Sequence, residues 1–290
     1  MTFETIPSNR PAISAVVATY EGELAANLNA SLESLIHQTY SPVEIIVVVD
    51  GPVAADQDAI LDRARETSVV PVKIVRLPIN GGRGHARNCG IAACSADFIA
   101  LMDSDDVCLP DRLEVQSEFL GKNPDIDIVA SWTQEFEDDD LQKQWIKFTP
   151  TSHRDIVKAL RWSNCVANPT IVFRKSAWET VGMMPNFRQM NEDYLFFLRL
   201  YSAGFKFACI PKVLVRVRID ARQRQRRKGF RLLMEDLRFR WASYREGHLS
   251  LGTTAIGICL ISARRLAPAA AQSHLQAAWR RLGRILYSKK

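Results

Sequence analysis

An open, mostly parallel α/β sheet flanked by helices, with a helical C-terminal extension, is the fold class that this 290-residue sequence predicts. Three observations predict it. Over the first hundred residues, short apolar runs without helical spacing alternate with amphipathic segments, the pattern of strands joined by right-handed crossovers. Polar and glycine-rich clusters fall where each run ends, the edge at which such sheets bind ligands. The charge is also divided: Met1 to Val215 carries 20 Lys and Arg against 28 Asp and Glu, and Arg216 to Lys290 carries 18 against 4.

The elements follow in order. Ile13 to Ala18 is a buried strand, and Leu24, Leu28, Leu32, Leu35 and Ile36 mark an amphipathic helix. Val43 to Val49 is the second strand, Ala54 to Glu66 a helix, Val72 to Leu77 a strand, Gly84 to Cys94 a helix and Phe98 to Met102 the fourth strand. Pro110 to Leu120 reads as a helix with Pro110 in its first turn. Ile126 to Trp132 reads as a strand, Glu135 to Asp140 as a solvated acidic loop and Thr170 to Phe173 as a short strand. Glu192 to Tyr201 is a helix and Phe207 to Val217 an edge-like strand.

After the basic run RQRQRRKG at 222–229, Gly229 to Glu246 places Phe230, Leu233, Leu237 and Trp241 on one helical face. Leu249 to Ile261 is apolar over only 13 residues, too short to span a bilayer. His274 to Leu286 is a further amphipathic helix. The predicted organisation is a tail at 1–10, a domain at 11–218 with halves at 11–110 and 111–218, and the basic extension at 219–290.

Composition excludes other classes. Apolar residues make up 47% and charged residues 24%, and 14 Gly and 13 Pro rule out collagen-like and low-complexity chains. Six cysteines without CxxC spacing, and a polar start without an apolar leader, lead to the expectation of a reducing cytoplasm. The basic extension suits an anionic membrane face or packing against the domain, and no nucleic-acid-binding module is recognisable, so nucleic acid is not an expected partner.

The chemistry-bearing clusters sit at strand ends. Asp103-Ser104-Asp105-Asp106 sets three carboxylates within four residues, an oxygen-only set suited to Mn²⁺ or Mg²⁺ bridging to phosphates. The composition also suits an acidic turn that caps a helix, but its place after the apolar strand and before Pro110-Asp111-Arg112 favours the metal reading. Asp50 ends the second strand, where it either contacts a base or ribose or serves the Asp50-Gly51-Pro52 turn. Tyr20 offers a ring for stacking a base, or for packing. In the segment from Asn80 to Asn88, Gly81 permits close backbone approach, and Arg83, Arg87 and the helix N-terminus favour a pyrophosphate. Glu192-Asp193 opens a helix beside apolar residues, as a general base or as charge complementing the helix dipole.

Together the segments ISAVVATYEG, HQTYSPVEIIVVVDGP, NGGRGHARNCGIAACSADFIALMDSDDVCLPDRL, NPTIVFRKSAWETVG and NEDYLFFLRLYSAG resemble the inverting family 2 glycosyltransferases with the GT-A fold, of the bacterial surface-polysaccharide type. The resemblance runs from Pro11 to Ile219. It implies that Ala18, Tyr20, Glu21, Asp50 and Asp103 hold a nucleoside, that Asp105, Asp106 or both bind the metal, and that Asp193 is the base. The family's DDGS appears as Val49-Asp50-Gly51-Pro52, HPT as Asn168-Pro169-Thr170 and GGY as Gly182-Met183-Met184; the last two bear on the acceptor. The implied activity is metal-dependent, inverting hexosyl transfer from a UDP-linked donor to a glycan or lipid-diphosphate-linked acceptor in polysaccharide biosynthesis. The expected location is the cytoplasm, with the basic extension pointing to peripheral binding at the cytoplasmic membrane face. A sugar nucleotidyltransferase and a non-catalytic nucleotide-sugar-binding protein are the rivals, separated by which product is released.

Overall fold

The computed structural model describes residues 10–137, 140–185, 191–219 and 230–266. Ile13–Thr19 (β1), Glu44–Asp50 (β2), Val72–Leu77 (β3) and Phe98–Asp103 (β4) form a parallel half-sheet in the order β3-β2-β1-β4. The unbroken apolar runs of β1 and β2 are buried on both faces. Ala15, Val17, Ile45 and Val47 pack under Ala25–Ile36 (α1) and Ala55–Thr67 (α2). Val16, Ile46 and Val48 pack under Arg83–Ala93 (α3). Gly90 allows that close packing, since a Cβ there would lie 2.5 Å from Val16 Cγ1.

The other half-sheet is mixed. Val107–Cys108 (β5), Ile128–Glu137 (β6), Asp140–Lys147 (β7), Val172–Arg174 (β8) and Phe207–Arg218 (β9) continue the order as β4-β8-β6-β9-β5, with β7 paired to β6. Arg112–Lys122 (α4), His153–Leu160 (α5), Lys175–Val181 (α6) and Glu192–Ser202 (α7) flank it. Buried Arg112 donates to Leu101 O at 2.9 Å and so fixes the end of β4 against α4.

Four expectations change. Glu135 and Glu137 lie within β6 and Asp140 opens β7, so most of the predicted acidic loop is hairpin strand; Glu135 stands opposite Trp145, and Phe136 is buried. β9 is no edge, because it lies between β6 and the two-residue β5. Thr170 ends a 3₁₀ turn, Asn168–Thr170, because its N–H donates to Ala167 O at 3.0 Å and the Ile171 N–H to Asn168 O at 3.3 Å, so the strand begins at Val172. Pro110 precedes α4 instead of opening it, and its carbonyl accepts the Thr39 N–H at 2.9 Å.

The described part of the extension is a helix pair, Phe230–Arg245 (α8) and Leu251–Leu266 (α9). The buried face of α8 is Leu233, Asp236, Phe239, Arg240 and Ser243, whereas Trp241, expected on it, is 54% exposed. Phe239 and Leu249 join the core cluster that contains Tyr194 and Leu195 of α7, and the Phe239 and Tyr194 rings lie 4.7 Å apart. Met234, Trp241, Leu251, Ile256 and Leu260 remain exposed. The tail up to residue 9, the basic run at 222–229 and the segment His274 to Leu286 lie outside the described residues.

Candidate active site

The carboxyl ends of β1, β2 and β4 and the start of α7 carry the predicted residues. After β1, Gln57 donates to the carbonyls of Tyr20 (3.1 Å) and Glu23 (2.7 Å), which fixes the turn. The Tyr20 ring lies over Gly22, where a Cβ would come within 2.4 Å of it. Glu21 is exposed, and Ala18 stands in register with Asp103 across the β1–β4 pair. Glu23, which sequence reasoning did not single out, accepts the Ser104 hydroxyl at 3.2 Å and ties the β1 turn to the acidic loop.

Asp50 is buried at the end of β2. Its two oxygens accept the N–H groups of Gly81 (2.7 Å) and Gly82 (2.9 Å). The carboxylate thereby shapes the glycine loop, which crosses so near that a Cβ on Gly51, at φ +84°, would lie 2.8 Å from Asn80 N.

The acidic loop is uneven. Asp106 is 2% exposed and its Oδ1 accepts the backbone N–H of Arg218 at 2.9 Å. Burial, followed by the charges of Asp105 and Asp103, raises its proton affinity well above the usual carboxylate range, against the Arg218 hydrogen bond. Asp105 is less buried, and its carbonyl accepts Arg218 Nε at 3.0 Å. Asp103 faces α3, where Arg87 Nη2 lies 2.6 Å from its Oδ1.

Arg87 is 5% exposed and also reaches Glu192 Oε1 at 3.1 Å; Arg83, more exposed, reaches the same oxygen at 3.3 Å. Burial opposes the Arg87 charge, but Asp103, Glu192 and Asp193 together hold its proton more tightly than usual. The guanidinium predicted to face a pyrophosphate is thus engaged by protein carboxylates. The other Glu192 oxygen is buried without a hydrogen-bond partner among the described residues.

Asp193 follows on the first turn of α7. Its Oδ1 accepts the Tyr194 N–H at 2.8 Å and its Oδ2 accepts the Asn164 amide at 2.9 Å. Burial and the neighbouring Glu192 push its pKa up to about 6, against the pull of Arg87, Arg83 and the Tyr194 N–H. A carboxylate poised there is ionised near neutrality and still able to take a proton. Asn164 carries no motif, and no sequence signal pointed to it. Among the described residues, no three metal-ligating side chains converge. An oxygen-only pair that leans on substrate phosphates for its remaining ligands fits a hard divalent cation.

A parallel half-sheet joined to a mixed half, with carboxylates gathered at the strand ends and at one helix start, is the arrangement that the resemblance to GT-A glycosyltransferases implies. Residues 14–181, more than half of the chain, match the family model described as Glycosyl transferase family 2, and the chain belongs to that family. The match ends before Glu192-Asp193. The chain is 34% identical to the amylovoran biosynthesis glycosyltransferase AmsE of Erwinia amylovora, over 77% of this chain and 82% of that one. It is 29% identical to the Escherichia coli UDP-Gal:alpha-D-GlcNAc-diphosphoundecaprenol beta-1,3-galactosyltransferase, over 91% and 95%. Its fold is similar to that of Staphylococcus aureus TarS residues 1–349 in complex with UDP, with a TM-score of 0.57 at 20% identity. That likeness covers 72% of this chain but only 60% of the TarS chain.

Proposed function

We propose that the protein transfers a hexosyl group, with inversion, from a UDP-sugar to a hydroxyl of a lipid-diphosphate-linked glycan during polysaccharide assembly. The observation that carries this reading is the Arg87 guanidinium, which spans Asp103 at the β4 end and Glu192 beside Asp193. One buried side chain so links the predicted nucleoside site to the predicted base. The names of the Escherichia coli relative, with its UDP-Gal donor and lipid diphosphate acceptor, and of the UDP complex of TarS support the choice of donor and acceptor class.

In this reading Ala18, Tyr20, Glu21, Asp50 and Asp103 surround the nucleoside, with Asp50 acting through the Gly81-Gly82 loop that it holds. Asp105 would hold Mn²⁺ or Mg²⁺, with Asp106 behind it turned toward the Arg218 backbone. Such an ion supplies positive charge to the departing diphosphate. Asp193 takes the proton of the acceptor hydroxyl as that oxygen forms a bond to the anomeric carbon. The bond from that carbon to the diphosphate breaks, its electron pair leaves with UDP, and a single displacement inverts the centre. The partly exposed Arg83 faces the diphosphate more readily than Arg87 does.

The chain works in the cytoplasm at an anionic membrane surface. No described helix is long and apolar enough to cross a membrane. The exposed Met234, Trp241, Leu251, Ile256 and Leu260, beside exposed Arg238 and Arg245, supply an amphipathic surface for peripheral binding. A panel of UDP-sugars with Mn²⁺, assayed for released UDP and for pyrophosphate, tests the reaction. UDP release supports it; pyrophosphate release would indicate nucleotidyl transfer, and binding without turnover a donor-binding protein.

A further inference from the structure

We propose that Asn164 is a positioning residue for the Asp193 carboxylate, and that Arg240 of the C-terminal helix α8 holds the Asn164 loop in place. The inference rests on the reading of Asp193 as the base. Asn164 lies after α5, on a short loop with no regular structure. Its Oδ1 accepts the Val166 N–H at 3.2 Å, which assigns the amide orientation and leaves Nδ2 to donate to Asp193 Oδ2 at 2.9 Å. One Asp193 oxygen is therefore held by its own helix and the other by this loop.

The loop is stitched from two sides. The Tyr194 hydroxyl, on α7, donates to Leu160 O at the end of α5. Arg240, 1% exposed, donates to the carbonyls of Arg161 and Trp162, and also lies near Thr253 O. Burying a guanidinium costs free energy unless its donors are used; main-chain carbonyls take Nη1 and Nη2, while Nε is buried without a hydrogen-bond partner among the described residues. Gly257 on α9 makes the room: a Cβ there would sit 2.3 Å from Arg240 Nη1. Asp236 of α8 accepts from Asn191, the left-handed residue just before Glu192. The extension thus touches both supports of the base, the loop and the start of α7.

The groups facing Asp193 are Glu192 on its own helix, Arg83 and Arg87 on α3 with Asp103 behind Arg87, and Asn164. Of these only Asn164 donates a side-chain hydrogen bond to the Asp193 carboxylate in the structure, among the described residues. Removing a donor to a charged form raises its pKa, and a like charge raises it further.

The test labels aspartate side-chain carboxyls with ¹³C in the full chain and follows the Asp193 resonance, identified by its loss in Asp193→Asn. Its midpoint should lie near 6 in the parent protein, rise in Asn164→Ala, and rise further in Asn164→Asp, by about 1–3 pH units. The Asp variant keeps the side-chain shape and the acceptor for Val166 N–H, so a general loss of fold does not produce this order. Arg240→Met, in protein shown to be folded by its thermal transition, should move the midpoint in the same direction and add little to Asn164→Ala. Unmoved midpoints in both Asn164 variants overturn the inference, and an unmoved midpoint in folded Arg240→Met overturns the part given to α8. If midpoints move but Asp193→Asn retains turnover, the contact stands and the base reading is what fails.

Discussion

Arg87 reaches Glu192 at 3.1 Å across 105 positions of sequence, and the same guanidinium holds Asp103 at 2.6 Å. This bridge joins the parallel half-sheet to α7, the helix that carries the proposed base. Arg87 and Glu192 are both almost fully buried, so their link resists salt, whereas Asp103 is 31% exposed.

Arg87→Met should therefore destabilise the fold by about 3 kcal/mol, because it leaves the buried Glu192 with only the more exposed Arg83 as counter-charge. Urea unfolding measures this. The double variant with Glu192→Gln should recover part of the loss; strict additivity of the two changes would show that the pair does not couple.

Asp105→Asn should abolish metal-dependent binding of UDP, since it removes the less buried of the two adjacent carboxylates and the negative charge that a cation needs. Calorimetric titration of UDP with and without Mn²⁺ checks this. Asp106→Asn should weaken it less, because that carboxylate is 2% exposed and bonded to the Arg218 backbone.

Glu44 anchors the far end of the sheet. Burial favours its neutral form, but Lys73, the Ser95 N–H and hydroxyl, and the Ser14 hydroxyl outweigh that and hold its pKa at about 2. A carboxylate depressed in the folded state contributes stability above its unfolded pKa and loses that contribution as pH falls from about 4.5 toward 2. Glu44→Gln should cost about 1.5–3 kcal/mol at pH 7 and much less near pH 2, read from thermal unfolding at both values. An equal deficit at both values would assign the loss to packing.

The exposed apolar side chains of α8 and α9, with exposed Arg238 and Arg245, should bring the protein to vesicles containing anionic lipid, with release rising as salt screens the attraction of the two arginines. Sedimentation measures it. Trp241→Ser with Leu260→Ser should reduce retention and leave soluble donor hydrolysis unchanged. Equal retention on neutral vesicles would remove the electrostatic part of this reading.

The parallel half-sheet was legible because an apolar run such as Glu44–Asp50, buried on both faces, leaves one placement open to it. The acidic segment at 135–140 misled because charge counts there hide the period-two placement of Phe136. The interior position of β9 depends on Val107–Cys108, too short to register as a strand. On α8 the burial of Arg240 rotates the helix, so Phe239 points inward and Trp241 outward, whereas apolar spacing alone selects Trp241. Asp103, Asp105 and Asp193 stood out as motif carboxylates, but Asn164, a lone amide on a loop, gains meaning only through the contact it makes.

The most direct measurement compares the parent enzyme with Asp193→Asn for sugar transfer from its UDP-sugar to a lipid-diphosphate-linked acceptor, across pH 5 to 8, together with donor affinity. A general base with a pKa of about 6 is active when ionised, so the parent rate should fall as pH drops through that value. Asp193→Asn should lose about 10²–10⁴-fold in kcat while binding donor as the parent does. Near-normal turnover by the variant, or a parent rate flat through pH 6, would contradict the assignment of Asp193 as base.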